Sequence, residues 1–200
     1  MARREMTRLS HRGAAIFCCA LLISSCRVDH ERTEDRRYGL GHIATPAQIA
    51  ARDDDVAPSG EGLPAGHGSV PEGQTLFASK CATCHGEMGE GKPPAYPALV
   101  GRDPRAEQFA FGDDPTIKRT IGDYWPYATT VFDYVRRAMP QNTPGSLTND
   151  EVYAITAYLL AANRVISGSA TLDSASLVAV KMPAVSHFVK DDRQGARQVK

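Results

Sequence analysis

Two cysteines and a histidine are spaced as covalent attachment of a redox cofactor requires. Cys81 and Cys84 are separated by two residues, and His85 follows at once. A thiol at each of these positions can add to a vinyl group of haem, and the imidazole can bind the iron through Nε2. The run Cys81–His85 therefore predicts the attachment site of one covalent haem c.

The same spacing occurs in CxxC redox pairs and in zinc sites. A structural zinc site needs about four ligands, and the sequence has neither a second cysteine pair nor an HxxxH-type spacing after Cys84. A thioredoxin-like motif would lie in a βαβ context, whereas the residues around Cys81 are typical of helices. These contrasts favour haem attachment.

The N-terminal region is typical of an export signal. Four arginines precede an apolar run at 14–23, which is too short to span a bilayer as a permanent helix. The sequence Ile23-Ser24-Ser25-Cys26 resembles the cleavage box of bacterial lipoproteins. We therefore expect Cys26 to be lipidated and to hold the protein on the periplasmic side of a bacterial membrane. The alternative is an ordinary signal peptide that leaves Cys26 as a free thiol.

The charge balance argues against nucleic acid as a partner. Residues 1–25 contain four arginines and one glutamate, so cleavage changes 23 basic and 23 acidic side chains to 19 and 22. A mature chain with this small negative charge has no basic stripe that could bind phosphates.

Composition divides the chain into four expected segments. These are a signal peptide at 1–25, a tether at 26–68, a folded domain at 69–166 and a C-terminal extension at 167–200. The tether is rich in charge, Gly and Pro and offers little apolar surface for a core. Within it, a short helix near Pro46 could dock on a partner or on the domain. We expect His42 and His67 to be solvated rather than bound to iron.

Capping patterns mark the two long helices of the domain. Ser69 and Glu72 form a capping-box pattern at the start of the first helix, and Thr148 and Glu151 form another at the start of the last, which runs to about Asn163. A third helix is predicted between them, at 130–138.

The apolar positions of these helices predict how they pack. Gly73 and Phe77 share one face of the first helix, which suits close crossing by the last helix. Val131, Phe132 and Val135 point inward from the third helix. Because no strand-rich run competes, we expect an all-α fold of three to five helices around one haem.

Loop residues offer contacts to the cofactor. The backbone carbonyl near Pro97 could accept a hydrogen bond from His85 Nδ1 and fix the ring. Trp125 and Tyr127 are grouped with Tyr124 around Pro126. A buried indole N–H or phenol O–H usually finds a partner, and a haem propionate would be one. Plain aromatic packing is the alternative.

Three methionines of the mature chain compete as the sixth iron ligand. Met88 lies three residues after His85, a span too short to reach the opposite haem face. Met139 stands before Pro140 between two helices, where a rigid support could hold its sulfur over the iron. Met182 lies in the C-terminal extension and is the alternative, ahead of histidine or an open position. A thioether ligand would raise the potential relative to histidine.

The residues above resemble those of a class I c-type cytochrome: Cys81–His85, Gly73 with Phe77, Met139-Pro140 and Ala157-Tyr158-Leu159. A narrower resemblance covers about residues 39–193. The segments 124–128 (YWPYA) and 132–140 (FDYVRRAMP) are similar to the cytochrome subunit of the sulfur (sulfane) dehydrogenases of the Sox pathway. This resemblance implies a molybdenum-cofactor dehydrogenase as partner in periplasmic sulfur oxidation. Arg136, in the second segment, is a further candidate haem contact.

Three functions compete on this sequence. The first is a non-catalytic subunit that takes electrons from a periplasmic dehydrogenase and passes them to another cytochrome or an oxidase. The second is a haem enzyme or gas sensor with an open sixth position, which would bind CO rapidly. The third is a lipoprotein scaffold whose haem only stabilises the fold.

Overall fold

The computed structural model describes residues 41–189. The chain divides into two units, Met1–Thr45 and Pro46–Lys200, and the elements below belong to the second. The expected signal peptide and Cys26 lie outside the described residues. Between residues 41 and 189, no helix is both long enough and apolar enough to cross a membrane.

The described part of the second unit is mainly helical, which confirms the predicted fold class. The elements are α1 (Pro46–Ala50), β1 (His67–Ser69), α2 (Val70–Lys80), α3 (Ala82–His85), α4 (Ile121–Tyr124), α5 (Ala128–Ala138), α6 (Asn149–Ala162), β2 (Thr171–Asp173) and α7 (Ser174–Ala179). Two 3-10 helices span Pro104–Gln108 and Pro183–His187. The α-helices outnumber the three to five expected because α3, α4 and α7 are short and carry weak sequence signals, whereas α1 is at the position of the short helix expected near Pro46.

Both predicted capping boxes are present. At α2, Ser69 Oγ accepts from the Glu72 N–H, and the Glu72 carboxylate accepts from the Ser69 N–H at 2.8 Å. At α6, Thr148 and Glu151 make the same reciprocal pair. These bonds satisfy N–H groups that have no partner within a helix. Helix α5 begins two residues earlier than predicted.

Helices α2 and α6 cross at close range. A methyl group on Gly73 would lie 1.8 Å from the carbonyl oxygen of Ala154, so only glycine allows this approach. One turn further along α2, the Phe77 ring packs against Tyr158 with centroids 5.1 Å apart. The predicted crossing of the first and last helices is therefore confirmed, and it fixes the direction in which α2 enters the haem motif.

The C-terminal half of the expected tether belongs to the compact unit. Val56 is buried, its N–H donates to Asp133 Oδ1 at 2.9 Å, and the Pro58 carbonyl accepts from Thr129 Oγ1. The Pro64 carbonyl accepts from the Tyr153 hydroxyl at 2.8 Å. Polar side chains of the helices hold this segment through hydrogen bonds. Because such contacts need no apolar periodicity in the segment itself, its sequence does not show that it packs on the domain.

The expected C-terminal extension also folds onto the unit. Strand β2 pairs antiparallel with β1, with His67 opposite Asp173. Leu172, Leu177 and Met182 are all buried in the main core. Serines and a glycine before this segment are typical of a free tail, but its three buried apolar side chains and the strand pair offset the cost of ordering it.

Candidate functional site

The haem motif lies where α2 ends. Cys81 is the C-cap residue of α2, and its N–H donates to the Phe77 carbonyl at 2.9 Å. The short helix α3 then carries Cys84 and His85, and the His85 N–H returns to the Cys81 carbonyl at 3.0 Å. Both thiols are free and half-buried. One continuous backbone turn thus presents all three side chains.

Burial sets the charge of the first thiol. Cys81 packs against the main core, and this burial raises the pKa of its thiol to about 11. A neighbouring Lys80 charge opposes the shift, and Cys84 adds to it. At neutral pH the Cys81 thiol is therefore uncharged.

The His85 ring has one nitrogen in need of an acceptor. Nδ1 is buried and makes no hydrogen bond within the part of the chain that the structure describes. Burial lowers the pKa of the ring, and the nearby Pro97 backbone acts in the opposite direction, although the two groups do not reach full hydrogen-bond geometry. The neutral imidazole is the form that binds a metal, so this environment fits an axial ligand.

A folded-back loop brings Pro97 to His85. The Gly91 N–H donates to the His85 carbonyl at 2.7 Å, and the loop turns with Gly91 at φ 81°. A methyl group on Gly91 would lie 2.7 Å from the Pro97 carbonyl carbon and 2.6 Å from Ala98 N. Glycine is therefore required for the loop to pass so close to the histidine.

Tyr96 is a neighbour of the motif that sequence reasoning missed. Its ring lies edge-on to His85 with centroids 6.1 Å apart, and the neighbouring Cys84 thiol raises the pKa of its phenol. Lys92 closes the same loop by donating from Nζ to the Thr83 carbonyl at 2.7 Å. The sequence feature that could have pointed to Tyr96 is an aromatic residue among prolines.

The methionines occupy different environments. Met139 caps the C-terminal end of α5, donates its N–H to the Val135 carbonyl and packs half-buried against the main core. Met182 is 3% exposed and belongs to the core itself. Met88 is 70% exposed. Only Met139 combines a helix-supported backbone with a side chain that protein atoms do not enclose.

The other candidate haem contacts already have protein partners. Trp125 Nε1 donates to Thr130 Oγ1 at 2.8 Å, and Arg136 Nη1 donates to the Asp54 carbonyl at 2.9 Å. Tyr127 is the half-buried residue that precedes α5, and its carbonyl accepts from the Thr130 hydroxyl. Haem contacts by Trp125, Tyr127 and Arg136 stay predictions.

Tyr124 was expected to group with Trp125 and Tyr127, but it lies in a different aromatic cluster. Its ring stacks on Phe109 at 5.5 Å, in a second cluster that includes Phe111 and His187. Trp125 instead packs against the main core. Helix α4 ends between them, and the extended backbone of Trp125 directs consecutive side chains to different sides.

The two histidines of the expected tether lie on the surface. His42 is exposed, and His67 is an exposed residue of β1 that lines a cavity of about 420 Å³ with Glu72, Asp150 and Glu151. The carboxylates there cap helices or accept the His67 N–H. Their roles are structural.

Asn163 was also missed, although it links the last helix to the loop beside His85. It is fully buried, donates from Nδ2 to the carbonyls of Leu99 and Leu159, and accepts from the Gly101 N–H. The sequence feature that could have pointed to Asn163 is a polar residue at the end of an otherwise apolar helix.

Known proteins similar to this chain point to one family. A family model described as cytochrome c matches residues 70–163. Two proteins named thiosulfate dehydrogenase match 52% of the chain: one from Psychrobacter arcticus is 29% identical, and one from Stutzerimonas stutzeri is 25% identical. The chain spans only 29% and 34% of their respective lengths.

A solved structure extends the similarity beyond the motif. A chain in the crystal structure of the sulfane dehydrogenase SoxCD from Paracoccus pantotrophus is 42% identical, with a TM-score of 0.65. The similarity covers 78% of this chain and 73% of that one. Taken with the haem motif and the crossing of α2 and α6, these matches show that the chain belongs to the cytochrome c family of electron carriers, whose cofactor is covalently bound haem c.

Proposed function

We propose that this protein is the monohaem electron-transfer subunit of a periplasmic sulfur-compound dehydrogenase. It takes electrons from a partner subunit and passes them to another cytochrome or an oxidase. Haem c would supply the one-electron redox couple of its iron, and the protein would supply the attachment site, the iron ligands and an environment of low dielectric constant. The single CxxCH in the sequence supports one haem per chain.

The motif residues have distinct roles in this proposal. Cys81 and Cys84 would form the two thioethers, and His85 would bind the iron through Nε2, with Nδ1 beside the Pro97 backbone. The observation that carries the proposal is their placement on one turn, with two free thiols and a buried, unpartnered Nδ1. A zinc site is not supported, because no cluster of three or more candidate ligands exists between residues 41 and 189.

Met139 is the proposed sixth ligand. Its backbone is fixed at the end of α5, and its side chain is half-buried beside the core. Met182 is enclosed by protein on all sides at 3% exposure, and bringing its sulfur to the iron would disrupt that packing. Trp125, Tyr127 and Arg136 lie on the segment that leads to Met139 and would border the haem.

The proposed donor is a molybdenum-cofactor dehydrogenase. Support comes from the 42% identity to a chain of a sulfane dehydrogenase and from the two relatives named for thiosulfate. The segments 124–128 and 132–140 carry the sequence resemblance to this class. The first runs from the end of α4 to the start of α5, and the second covers the last seven residues of α5 and the two residues after it. We further propose that lipid on Cys26 holds the protein at the periplasmic face of a membrane.

Reconstitution with a partner tests this function. The full chain, matured with haem, would be mixed with a molybdenum-containing sulfane dehydrogenase subunit, and haem absorbance would be followed after a sulfur substrate is added. We expect haem reduction only when both proteins and the substrate are present. A Cys81→Ala, Cys84→Ala double variant is the control without attached haem. Rapid CO binding by the parent without substrate-linked reduction would favour the open-site alternative instead.

A further inference from the structure

Asn163 holds one short segment of chain at two points. Its Nδ2 donates to the Leu99 carbonyl at 3.1 Å, and its Oδ1 accepts from the Gly101 N–H at 3.2 Å. A second bond from Nδ2 to the Leu159 carbonyl, at 2.8 Å, fixes the side chain on its own helix. A fully buried amide with three bonds is a rigid support.

The same segment is held on its other edge by the loop after the haem motif. The N–H groups of Leu99 and Val100 donate to the Gly89 carbonyl at 2.8 and 3.0 Å. Two residues beyond Gly89, Gly91 bonds to the His85 carbonyl and passes against Pro97. Leu99 is thus held between the histidine loop and the end of α6.

The packing leaves little room for this arrangement to change. A methyl group on Gly122 would lie 2.8 Å from the Cβ of Asn163, so α4 presses against the amide. The Ile121 N–H also donates to the Leu99 carbonyl, at 3.0 Å. A change at position 163 must therefore be absorbed by movement of the Leu99–Gly101 segment, to which Pro97 is joined by one intervening residue.

We propose that Asn163 is a positioning residue for His85: by fixing Leu99 and Gly101, it sets the distance from the Pro97 carbonyl to His85 Nδ1. This inference rests on the proposed binding of haem iron by His85. A hydrogen bond from a ligating imidazole to an acceptor makes the imidazole a stronger donor to the metal. That bond favours ferric iron, so a correctly placed Pro97 lowers the reduction potential.

The test uses the full-length protein with haem attached and compares Asn163→Leu with the parent. The leucine removes all three bonds and keeps the branching and the number of heavy atoms of the asparagine side chain. We expect a higher midpoint potential and faster deuterium exchange of the His85 Nδ1 proton, followed by NMR in the reduced state. Asn163→Ala, which cannot overpack the site, should shift both in the same direction.

Thr156→Val is the matched control. Thr156 lies on the same helix, is fully buried, and its hydroxyl has no partner within residues 41–189. This variant should keep the parent's potential and Nδ1 exchange rate. An equal change in the control would show that any alteration in the interior of α6 moves the potential, and would overturn the proposal.

Other outcomes decide between the inference and the function beneath it. Asn163 variants that lose thermal stability but keep the parent's potential and exchange rate reduce Asn163 to a structural residue. If neither variant retains haem, hydrogen exchange in the parent protein is the test. The Gly101 N–H and the His85 Nδ1 proton should become exchangeable in the same opening event in mild denaturant. Exchange of the two protons in separate events overturns the inference. A parent without covalent haem refutes the proposed function itself.

Discussion

The Val56 N–H donates to Asp133 Oδ1 at 2.9 Å and joins positions 77 residues apart. Asp133 is buried and also pairs with Arg137 on its own helix. Arg136 donates to the Asp54 carbonyl from the same helix. The N-terminal segment is therefore fastened to α5, the helix that ends at the proposed ligand Met139.

Asp133→Ala should detach this segment. The Val56 N–H would be left buried without an acceptor, which costs about 1–3 kcal/mol. We expect a lower free energy of unfolding and faster limited proteolysis near Pro58. Asp113→Ala, at an exposed aspartate, is the control and should change neither. Equal stability of the two variants would show that the hydrogen bond between Val56 and Asp133 contributes nothing to the free energy of unfolding.

Gly73→Ala should destabilise the crossing of α2 and α6. The added methyl would lie 1.8 Å from the Ala154 carbonyl oxygen, so the helices must separate, at a cost of about 1–3 kcal/mol. Gly112→Ala is the matched control, because nothing lies within 4 Å of that position. Thermal unfolding of the two holoproteins is the measurement. A Gly73 variant as stable as the control would contradict the tight crossing.

Glu151→Gln should reduce stability at neutral pH and have no effect in strong acid. The Lys80 ammonium and then the Thr148 backbone lower the pKa of the Glu151 carboxyl. A lowered folded-state pKa adds stability above the unfolded value, about 4.3, and this contribution is lost as the pH falls through the folded value. The melting temperatures of the variant and the parent, measured from neutral to acid pH, should converge as the pH falls through the folded-state pKa of Glu151. A constant difference would exclude ionisation of Glu151 as the cause.

Strong local signals made much of this structure predictable. The capping boxes at Ser69 and Thr148 each placed the start of a long helix correctly, because the N–H groups they satisfy lie within four residues. The small residue Gly73 and the large Phe77 on one face were enough to identify the crossing with the last helix.

Contacts between distant polar groups could not be read from the sequence. Val56 is held by Asp133, and the Leu99 loop by Asn163, through bonds whose partners lie more than sixty residues apart. A single aspartate or asparagine in a helical pattern has no periodicity, and only the folded backbone shows what it binds. The same limit applied to residues 171–187, whose serines resembled a free tail.

The choice between Met139 and Met182 is the sharpest test of the site. Met139→Leu keeps the side-chain volume and removes the sulfur, so the holoprotein should lose the methionine-to-iron absorption band and show a lower potential. Met182→Leu should keep the parent's spectrum, because the sulfur of Met182 is enclosed in the core at 3% exposure. The leucine there should cost less than about 1.5 kcal/mol, as volume-conserving core changes do. The structure also changes why Met182 is disfavoured: its segment is already ordered, so packing rather than chain entropy keeps it from the iron. Loss of the band in the Met182 variant alone would place the folded C-terminal segment over the haem and assign Met139 to support of α5.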